Sequence, residues 1–231
     1  VMIFNRSLTT DEIKTIYDSY NPKAASGSLQ KGLVLDMPLE TRYTKSSTVL
    51  TDRTPYSNDG TNNGAVIGVD NTTLDGTSDY VNIDLTVNDL SSTTKGTWSA
   101  WVKPNDATPS ANGAILHFGD LNGNERLDLR LLTTGILTLF AGDSGVTQFV
   151  LNTNTAPFSD NVWTHVALVQ NGTFPILYVD SIAVPQTFTT SVDRASWFFE
   201  LTGIDTGRIG DSNFNNAGEA TFFNGSISDA K

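Results

Sequence analysis

The sequence predicts an all-β protein, a sandwich of two antiparallel sheets with one short helix near its N-terminus. From residue 32 onward, short apolar runs recur at fairly regular spacing, and Asn-Gly, Asp-Gly and Gly-Asp pairs separate them. Thr, Asn, Ser, Asp and Gly are abundant, a composition that favours short strands joined by polar turns. No second linker follows residue 31, so one large sandwich is expected rather than two small ones.

One segment has helical periodicity. Thr9 and Glu12 stand at the spacing of a capping box, which satisfies the free amide groups at the start of a helix. The apolar positions that follow recur at i, i+3, i+4 and i+7 and form one stripe, which consists of Ile13, Ile16, Tyr17 and Tyr20. Pro22 ends the predicted helix.

Composition argues against several classes of function. The net charge of −11 makes nucleic acid a poor partner, because nucleic-acid binding needs a basic surface. The chain has no cysteine, which excludes disulfides and thiolate metal sites. No apolar run approaches the roughly 20 residues that cross a bilayer, so no membrane span is predicted. The chain opens in what looks like the middle of a strand, so we expect a fragment or a processed product.

Three stretches carry a resemblance to a known family. The first is the strand Gly32 to Leu39 with the loop Asp52 to Gly60 and the turn Leu74 to Val81. The others are Thr97 to Pro104 and the hairpin built from Trp163 to Ala167 and Leu177 to Asp180. In order and spacing these stretches resemble the laminin G-like, concanavalin A-like jelly-roll family. The resemblance implies a two-sheet antiparallel jelly roll, in which Trp98, Trp101 and Trp163 serve packing.

The two ends depart from the family pattern. Such domains usually finish with a strand and a helix, but residues 223–231 stop before that strand. The missing strand and helix resemble residues 1–20 instead. We therefore divide the chain into a displaced final strand and helix at 1–20, a polar linker at 21–31, and a jelly-roll sandwich at 32–231.

A sandwich without its last strand exposes an unpaired edge, which something must fill. Residues 1–8 could fold back into their own domain, or they could complete a neighbouring copy by strand donation and so build a filament. A third reading is a fragment cut from a tandem array of repeats. The predicted donor residues are Val1, Met2, Ile3, Phe4, Asn5 and Arg6.

The resemblance also implies a structural calcium ion, held where the loop Asp52 to Gly60 meets the Asp near the last strand, Asp229. Carboxylates, amide oxygens and backbone carbonyls are the ligands that Ca²⁺ takes. The candidate ligands are Asp36, Asp52, Asn58, Asp59, Gly60 and Asp229. The alternative is that Asn58-Asp59-Gly60 makes only a turn.

Enzyme signatures are absent from the sequence. Glucanases of related fold carry Glu-x-Asp-x-x-Glu on one strand, and no such run occurs here. Glu125 and Asp128 would point to opposite faces of a strand. His117 and His165 lie within apolar strand patterns, which is typical of core histidines. The segment from Asp120 to Glu125 is predicted to be a hairpin turn rather than an EF-hand loop. We therefore predict a non-enzymatic protein.

Two further features concern binding and modification. Trp197, Phe198 and Phe199 stand together, and at least one should be exposed, where it could stack on a sugar or anchor an interface. The alternative is that they extend the core. Sequons for glycosylation occur at Asn5, Asn71, Asn171 and Asn224.

Two hypotheses of function follow. The first is an extracellular or cell-surface structural or adhesive module, a repeat or filament subunit whose partners are copies of itself or adjacent repeats. The alternative is a carbohydrate-binding module of a larger secreted glycan-active protein, with glycans as partners.

Overall fold

The structure is a computed structural model that describes residues 1–18 and 27–229. The described helices are α1 (Thr10–Asp18) and the four-residue α2 (Val87–Leu90), with 3-10 turns at Gly27–Gln30, Thr41–Tyr43 and Asp84–Thr86. The strands in chain order are β1 Met2–Phe4, β2 Leu33–Asp36, β3 Thr44–Ser46, β4 Val49–Leu50, β5 Gly60–Asn63, β6 Val66–Ile67, β7 Thr72–Asp75, β8 Tyr80–Asn82, β9 Gly96–Pro104, β10 Gly113–Gly119, β11 Arg126–Leu131, β12 Leu137–Asp143, β13 Val146–Thr153, β14 Thr164–Gln170, β15 Pro175–Val179, β16 Ile182–Ala183, β17 Gln186–Ser191, β18 Thr206–Ile209 and β19 Asn224–Ser228.

These strands form two antiparallel sheets, which confirms the predicted sandwich. Sheet I runs β16-β15-β14-β9-β19-β7-β6, and β1 and β2 join it beside β9. Sheet II runs β17-β13-β12-β11-β10-β18-β8-β5-β4-β3. The sequence predicted one helix, and the structure adds the short α2.

Strand β1 lies within its own chain, between β2 and β9. Met2 and Phe4 pair with Ser99 and Thr97 of β9 on one side, and β2 pairs on the other. Strand β19 lies on the same edge of β9, where its Ser228 pairs with Trp101. The two strands therefore lie end to end along β9. Residues 1–8 therefore fold back into their own domain in this structure, which is the first of the placements considered for them.

The main core fills the space between the sheets. Trp98, Phe118, Trp197 and Phe198 form its aromatic centre, with ring centroids 5.0 Å apart for Trp98–Trp197 and for Phe118–Phe198. Around them pack the leucines and isoleucines of both inner faces, because alternate strand residues point inward.

A second, smaller core lies on the outer face of sheet I, under α1. Ile13 and Ile16 of α1 pack there with Phe4, Leu33 and Val169, among other residues. The predicted capping box is present, since the Thr9 amide donates to Glu12 Oε2 and the Glu12 amide donates to Thr9 Oγ1. Helix α1 therefore covers the outer face of sheet I.

Parts of two predicted elements lie outside the described residues. They are Tyr20 of the apolar stripe and residues 21–26 of the predicted linker. None of the described helices is long and apolar enough to cross a membrane.

Strand β1 is buried on both faces, so truncating one of its side chains should destabilise the domain. Ile3 is 0 % exposed and packs in the main core, while Phe4 packs under α1. We expect Ile3→Ala to lower the free energy of unfolding by about 2–5 kcal/mol, because it removes buried methyl groups and leaves a cavity. Urea denaturation measures the change.

The matched control is Ile182→Ala, since Ile182 is 68 % exposed. Its free energy of unfolding should stay within about 0.5 kcal/mol of the parent. Equal effects of the two substitutions would contradict the placement of β1 in this domain.

Candidate functional site

The outer face of sheet II carries a row of polar and aromatic side chains. Adjacent strands set it in register: Arg208 of β18 pairs with His117 of β10, His117 with Asp128 of β11, and Asp128 with Phe140 of β12. The neighbouring positions, such as Leu127 and Leu129, point into the core. Chain alternation therefore places these polar groups together on the face opposite the core.

Asp128 is the centre of this row. Its Oδ1 lies 2.5 Å from His117 Nδ1, and its Oδ2 lies 2.8 Å from Arg130 Nη2 and 3.4 Å from Arg126 Nε. Burial alone would raise the pKa of the Asp128 carboxyl, but His117, Arg130 and Arg126 together hold that pKa below its usual range. Asp128 is therefore a buried carboxylate surrounded by cationic groups.

Arg126 is held between two aromatic rings. Its guanidinium carbon lies 4.3 Å from the ring centroid of Phe140 and 4.0 Å from that of Phe214. Burial lowers the pKa of Arg126 despite the nearby Asp128, but an arginine stays charged at neutral pH. Within residues 1–18 and 27–229, Arg126 Nε has no hydrogen-bond acceptor, and none accepts from its terminal nitrogens.

A shallow cavity of about 110 Å³ opens at Arg126. Phe140, Phe214 and the exposed Val146 give it apolar walls. Polar groups and glycine backbone complete its lining, namely Asn124, Arg126, Gly142, Gly145 and Thr147. A fixed, hydrogen-bonding cation beside both polar groups and apolar side chains can bind a small polar ligand that carries a negative charge.

Residues 210–221 form a loop that borders this cavity, here termed the covering loop. His117 Nε2 lies 2.9 Å from the carbonyl oxygen of Asn213, and the Asn215 amide donates to the carbonyl of Asp120. Phe214 follows Asn213 and lies against Arg126. The loop thus supplies one of the two rings that hold the guanidinium.

A second ionic group lies beside the first. Arg208 contacts Asp84 at 2.5 Å, and its Nε lies 3.9 Å from Asp211 Oδ1. Asp211 is 0 % exposed, and neither of its carboxyl oxygens has a hydrogen-bond partner among the described residues. Burial raises the pKa of Asp211 to about 8, although Arg208 opposes the shift.

The comparisons with known proteins agree with this architecture. Residues 75–231 match the family model described as the concanavalin A-like lectin/glucanases superfamily. The chain belongs to this superfamily. No curated protein matches it.

Solved structures share the superfamily fold with this chain. The CBM40 domain of the Ruminococcus gnavus IT-sialidase, bound to alpha2,3-sialyllactose, is 15 % identical with a TM-score of 0.56, and covers 68 % of this chain and 85 % of that one. The leech intramolecular trans-sialidase is 14 % identical with a TM-score of 0.51, covering 73 % of this chain and 24 % of that one. The NanB sialidase from Streptococcus pneumoniae is 17 % identical with a TM-score of 0.53, covering 68 % and 24 %. At these identities the likeness shows the fold alone.

The predicted calcium ligands make hydrogen bonds and ion pairs with other groups of the chain. Arg53 lies between two of them, with Nη2 2.7 Å from Asp36 Oδ1 and 3.2 Å from Asp229 Oδ2. The Asp52 carboxylate accepts backbone N–H bonds from Asp36, Thr54 and Asn58.

The remaining ligands are equally occupied. Asp59 pairs with Lys45, Asn58 Nδ2 donates to Asp89, and Gly60 pairs with Leu50 between β5 and β4. Among the described residues, no group of three or more His, Asp or Glu could hold a metal ion. The donor set does not fit Ca²⁺, because Arg53 and Lys45 supply the positive charge, and calcium binding stays a prediction without support from this geometry.

The aromatic trio divides between core and surface. Trp197 is 1 % exposed and Phe198 is buried beside it, so the expectation that these two contact a sugar or a partner is wrong. Phe199 is 58 % exposed, which confirms that at least one of the three reaches solvent. It borders a cavity of about 250 Å³ lined by residues such as Ser91, Leu201 and Ile204.

Other sequence expectations hold. His117 and His165 are both buried within strands, and the Asp120 amide donates to the carbonyl of Glu125 in a hairpin turn. The four sequon asparagines, Asn5, Asn71, Asn171 and Asn224, are partly or fully exposed, and their use stays a prediction.

Sequence reasoning missed Arg126, Arg130, Phe140 and Phe214. The signal was the alternation Arg-x-Asp-x-Arg from Arg126 to Arg130, which places three charges on one face of a strand. Phe214 carried no comparable signal, because it lies in a loop whose path depends on the sheet beneath it.

The raised pKa of Asp211 generates a prediction about stability. Burial raises the pKa of the folded Asp211 carboxyl to about 8, whereas in the unfolded chain its pKa is that of an ordinary aspartate, about 3.9. Between these values the folded state binds more protons, so the free energy of unfolding falls as pH rises from about 4 to about 8. Asp211→Asn should remove this contribution and raise the free energy of unfolding at pH 8 by up to about 5 kcal/mol, as measured by urea denaturation.

The exposed Asp11→Asn is the matched control, because it removes a carboxylate from the first turn of α1 and should lower the free energy of unfolding at pH 8 by no more than about 1 kcal/mol, opposite in sign to Asp211→Asn. If Asp211→Asn changes the free energy of unfolding equally at pH 4 and pH 8, the carboxyl is not held protonated by burial.

Proposed function

We propose that this chain is a non-catalytic carbohydrate-binding module of an extracellular protein, and that it binds acidic glycans on the outer face of sheet II. The observation that carries the proposal is Arg126, fixed between Phe140 and Phe214 at the cavity, with terminal N–H groups that have no acceptor in the described chain. A guanidinium presents paired donors that match a carboxylate.

The distribution of charge supports an anionic ligand. The whole chain carries −11, yet beside the cavity Arg126 and Arg130 both contact one carboxylate, that of Asp128. The site is therefore locally cationic on an acidic protein, which favours a ligand with negative charge. The fold is shared with a CBM40 domain that is bound to sialyllactose, a glycan with a carboxylate, and this supports the same class of ligand.

The shape of the site supports binding rather than chemistry. The cavity is shallow, and its lining combines polar groups, which can bond sugar hydroxyls, with two phenyl rings and a valine, which suit the apolar faces of sugars. The carboxylate that contacts Arg126, that of Asp128, is buried and bonded to His117 and Arg130. It is therefore not placed to act as an acid or nucleophile on a ligand in the cavity.

The structural or adhesive alternative has less support. It requires residues 1–8 to complete a neighbouring copy, whereas β1 pairs with β2 and β9 of its own chain. Adjacent repeats of one longer chain can form the same arrangement, in which β19 of one repeat and β1 of the next lie end to end along β9. An adhesive role through glycan binding remains compatible with the proposed site.

Titration calorimetry with alpha2,3-sialyllactose and with lactose tests the proposal. We expect binding of the sialylated sugar, and at least tenfold weaker binding of lactose, which lacks the carboxylate. Arg126→Lys keeps the charge but loses the paired donors and the stacking, so the affinity for sialyllactose should fall about tenfold or more.

Arg42→Lys provides the matched control, because Arg42 is exposed in a 3-10 turn far from this row in sequence and sheet order. Its affinity should equal that of the parent. Equal affinities for lactose and sialyllactose, or an unchanged affinity in Arg126→Lys, would overturn the assignment of this site to acidic glycans.

A further inference from the structure

The two nitrogens of the His117 ring have different partners, a backbone carbonyl and a carboxyl group. Nε2 lies 2.9 Å from the carbonyl oxygen of Asn213, which has no proton to donate. Nδ1 lies 2.5 Å from Asp128 Oδ1. Two acceptors on one imidazole require a proton on each ring nitrogen.

Whether the contact between Nδ1 and Asp128 also requires a ring proton depends on the protonation state of the Asp128 carboxyl group. A protonated Asp128 could donate to Nδ1 and leave the ring neutral. The guanidinium of Arg130, at 2.8 Å, and that of Arg126 favour the ionised carboxylate instead. With the Asp128 carboxylate ionised, both contacts of the buried ring are satisfied only when each of its nitrogens carries a proton.

This charge is linked to the cavity through the covering loop. The Nε2 proton bonds to Asn213, and Phe214, the next residue, packs its ring 4.0 Å from Arg126 and 6.0 Å from the imidazole. Loss of the proton leaves the buried Asn213 carbonyl facing a lone pair, or breaks the bond between His117 and Asp128. The first change loosens the covering loop directly, and the second frees the ring from the carboxylate that orients its Nε2 proton toward Asn213.

We propose that His117 is a positioning residue whose imidazolium fixes the covering loop over Arg126, so that the site binds acidic glycans with the proton in place and loses affinity without it. The inference rests on the proposed glycan-binding function. It adds that the affinity for acidic glycans falls as pH rises. Two effects contribute: the covering loop no longer holds Phe214 against Arg126, and the outer face of sheet II loses one positive charge.

Other titratable groups face His117, and their effects on the pH dependence of binding must be distinguished from its own. Asp128, Arg126 and Arg130 lie on β11, and Arg208 lies opposite on β18. Beyond Arg208 are Asp84, Asp211 and Glu219. Of these, Asp211 has a pKa of about 8 and would add negative charge as pH rises. The Asp211→Asn variant removes that contribution.

Two measurements on the whole chain test the proposal. Nitrogen-15 NMR of the histidine side chains reports the protonation of each ring nitrogen directly. At pH 6 we expect both nitrogens of His117 in the imidazolium form. The dissociation constant for sialyllactose, measured from about pH 5 to 9, should rise about tenfold at the pH where this NMR signal changes. The carboxylate of the sugar stays ionised throughout, so the step belongs to the protein.

The variants sharpen the result. His117→Gln keeps an N–H donor for Asn213 but cannot titrate, so binding should persist, weakened, without the pH step. Asp211→Asn should keep the step. A neutral His117 ring at pH 6, or a dissociation constant that is flat while the ring loses its proton, would overturn the role of His117. If the parent binds no sialyllactose while the Phe214 ring signals shift with the His117 proton, the loop linkage stands and the proposed ligand fails.

Discussion

Strand β9 sets the constraint on which both sheets depend. It is nine residues long, it is buried almost throughout, and its Trp98 lies at the aromatic centre of the core. Strand β14 pairs with one edge of β9, while the other edge is shared by β19 and β1. Without β1, the amide and carbonyl groups of Thr97 to Ser99 would be buried and unpaired on that edge, at a cost of several kcal/mol. The three residues of β1 therefore stabilise this edge of β9 by pairing with its backbone groups.

The same segment determines which face of the sandwich is available to a ligand. Because β1 leads directly into α1, the helix packs on the outer face of sheet I and buries Ile13 and Ile16 there. On sheet II the covering loop lies over Arg208, His117 and Asp128, which are buried, and the outer face stays open beside it at the cavity that Arg126 and Phe140 line. The position of the site thus follows from the connection between the first strand and the first helix.

The sequence predicted the fold well and the site poorly, for a physical reason. Alternation, turn chemistry and the Thr9–Glu12 capping box are local signals, and the sheets, the hairpin at Asp120 and the helix followed from them. The calcium ligands were inferred from oxygen-bearing residue types in a loop, but Arg53 reaches those oxygens from within the same loop. Trp197 and Phe198 offered no local signal of burial, since Trp98 and Phe118, against which they pack, lie about 80 to 100 residues earlier in the chain.

Two arginines in similar surroundings show why one cluster is structural and the other is suited to a ligand. Arg53 donates to two carboxylates at once, through Nε and Nη2 to Asp36 and through Nη2 to Asp229. Its donors are engaged within the fold, and adding a ligand would first require breaking buried ionic hydrogen bonds. Arg126 is held by ring faces instead, which fix the plane of the guanidinium but accept none of its terminal protons. A guanidinium that is already positioned and still able to donate loses little conformational freedom when an anion binds, so its hydrogen bonds contribute to affinity with little entropic cost.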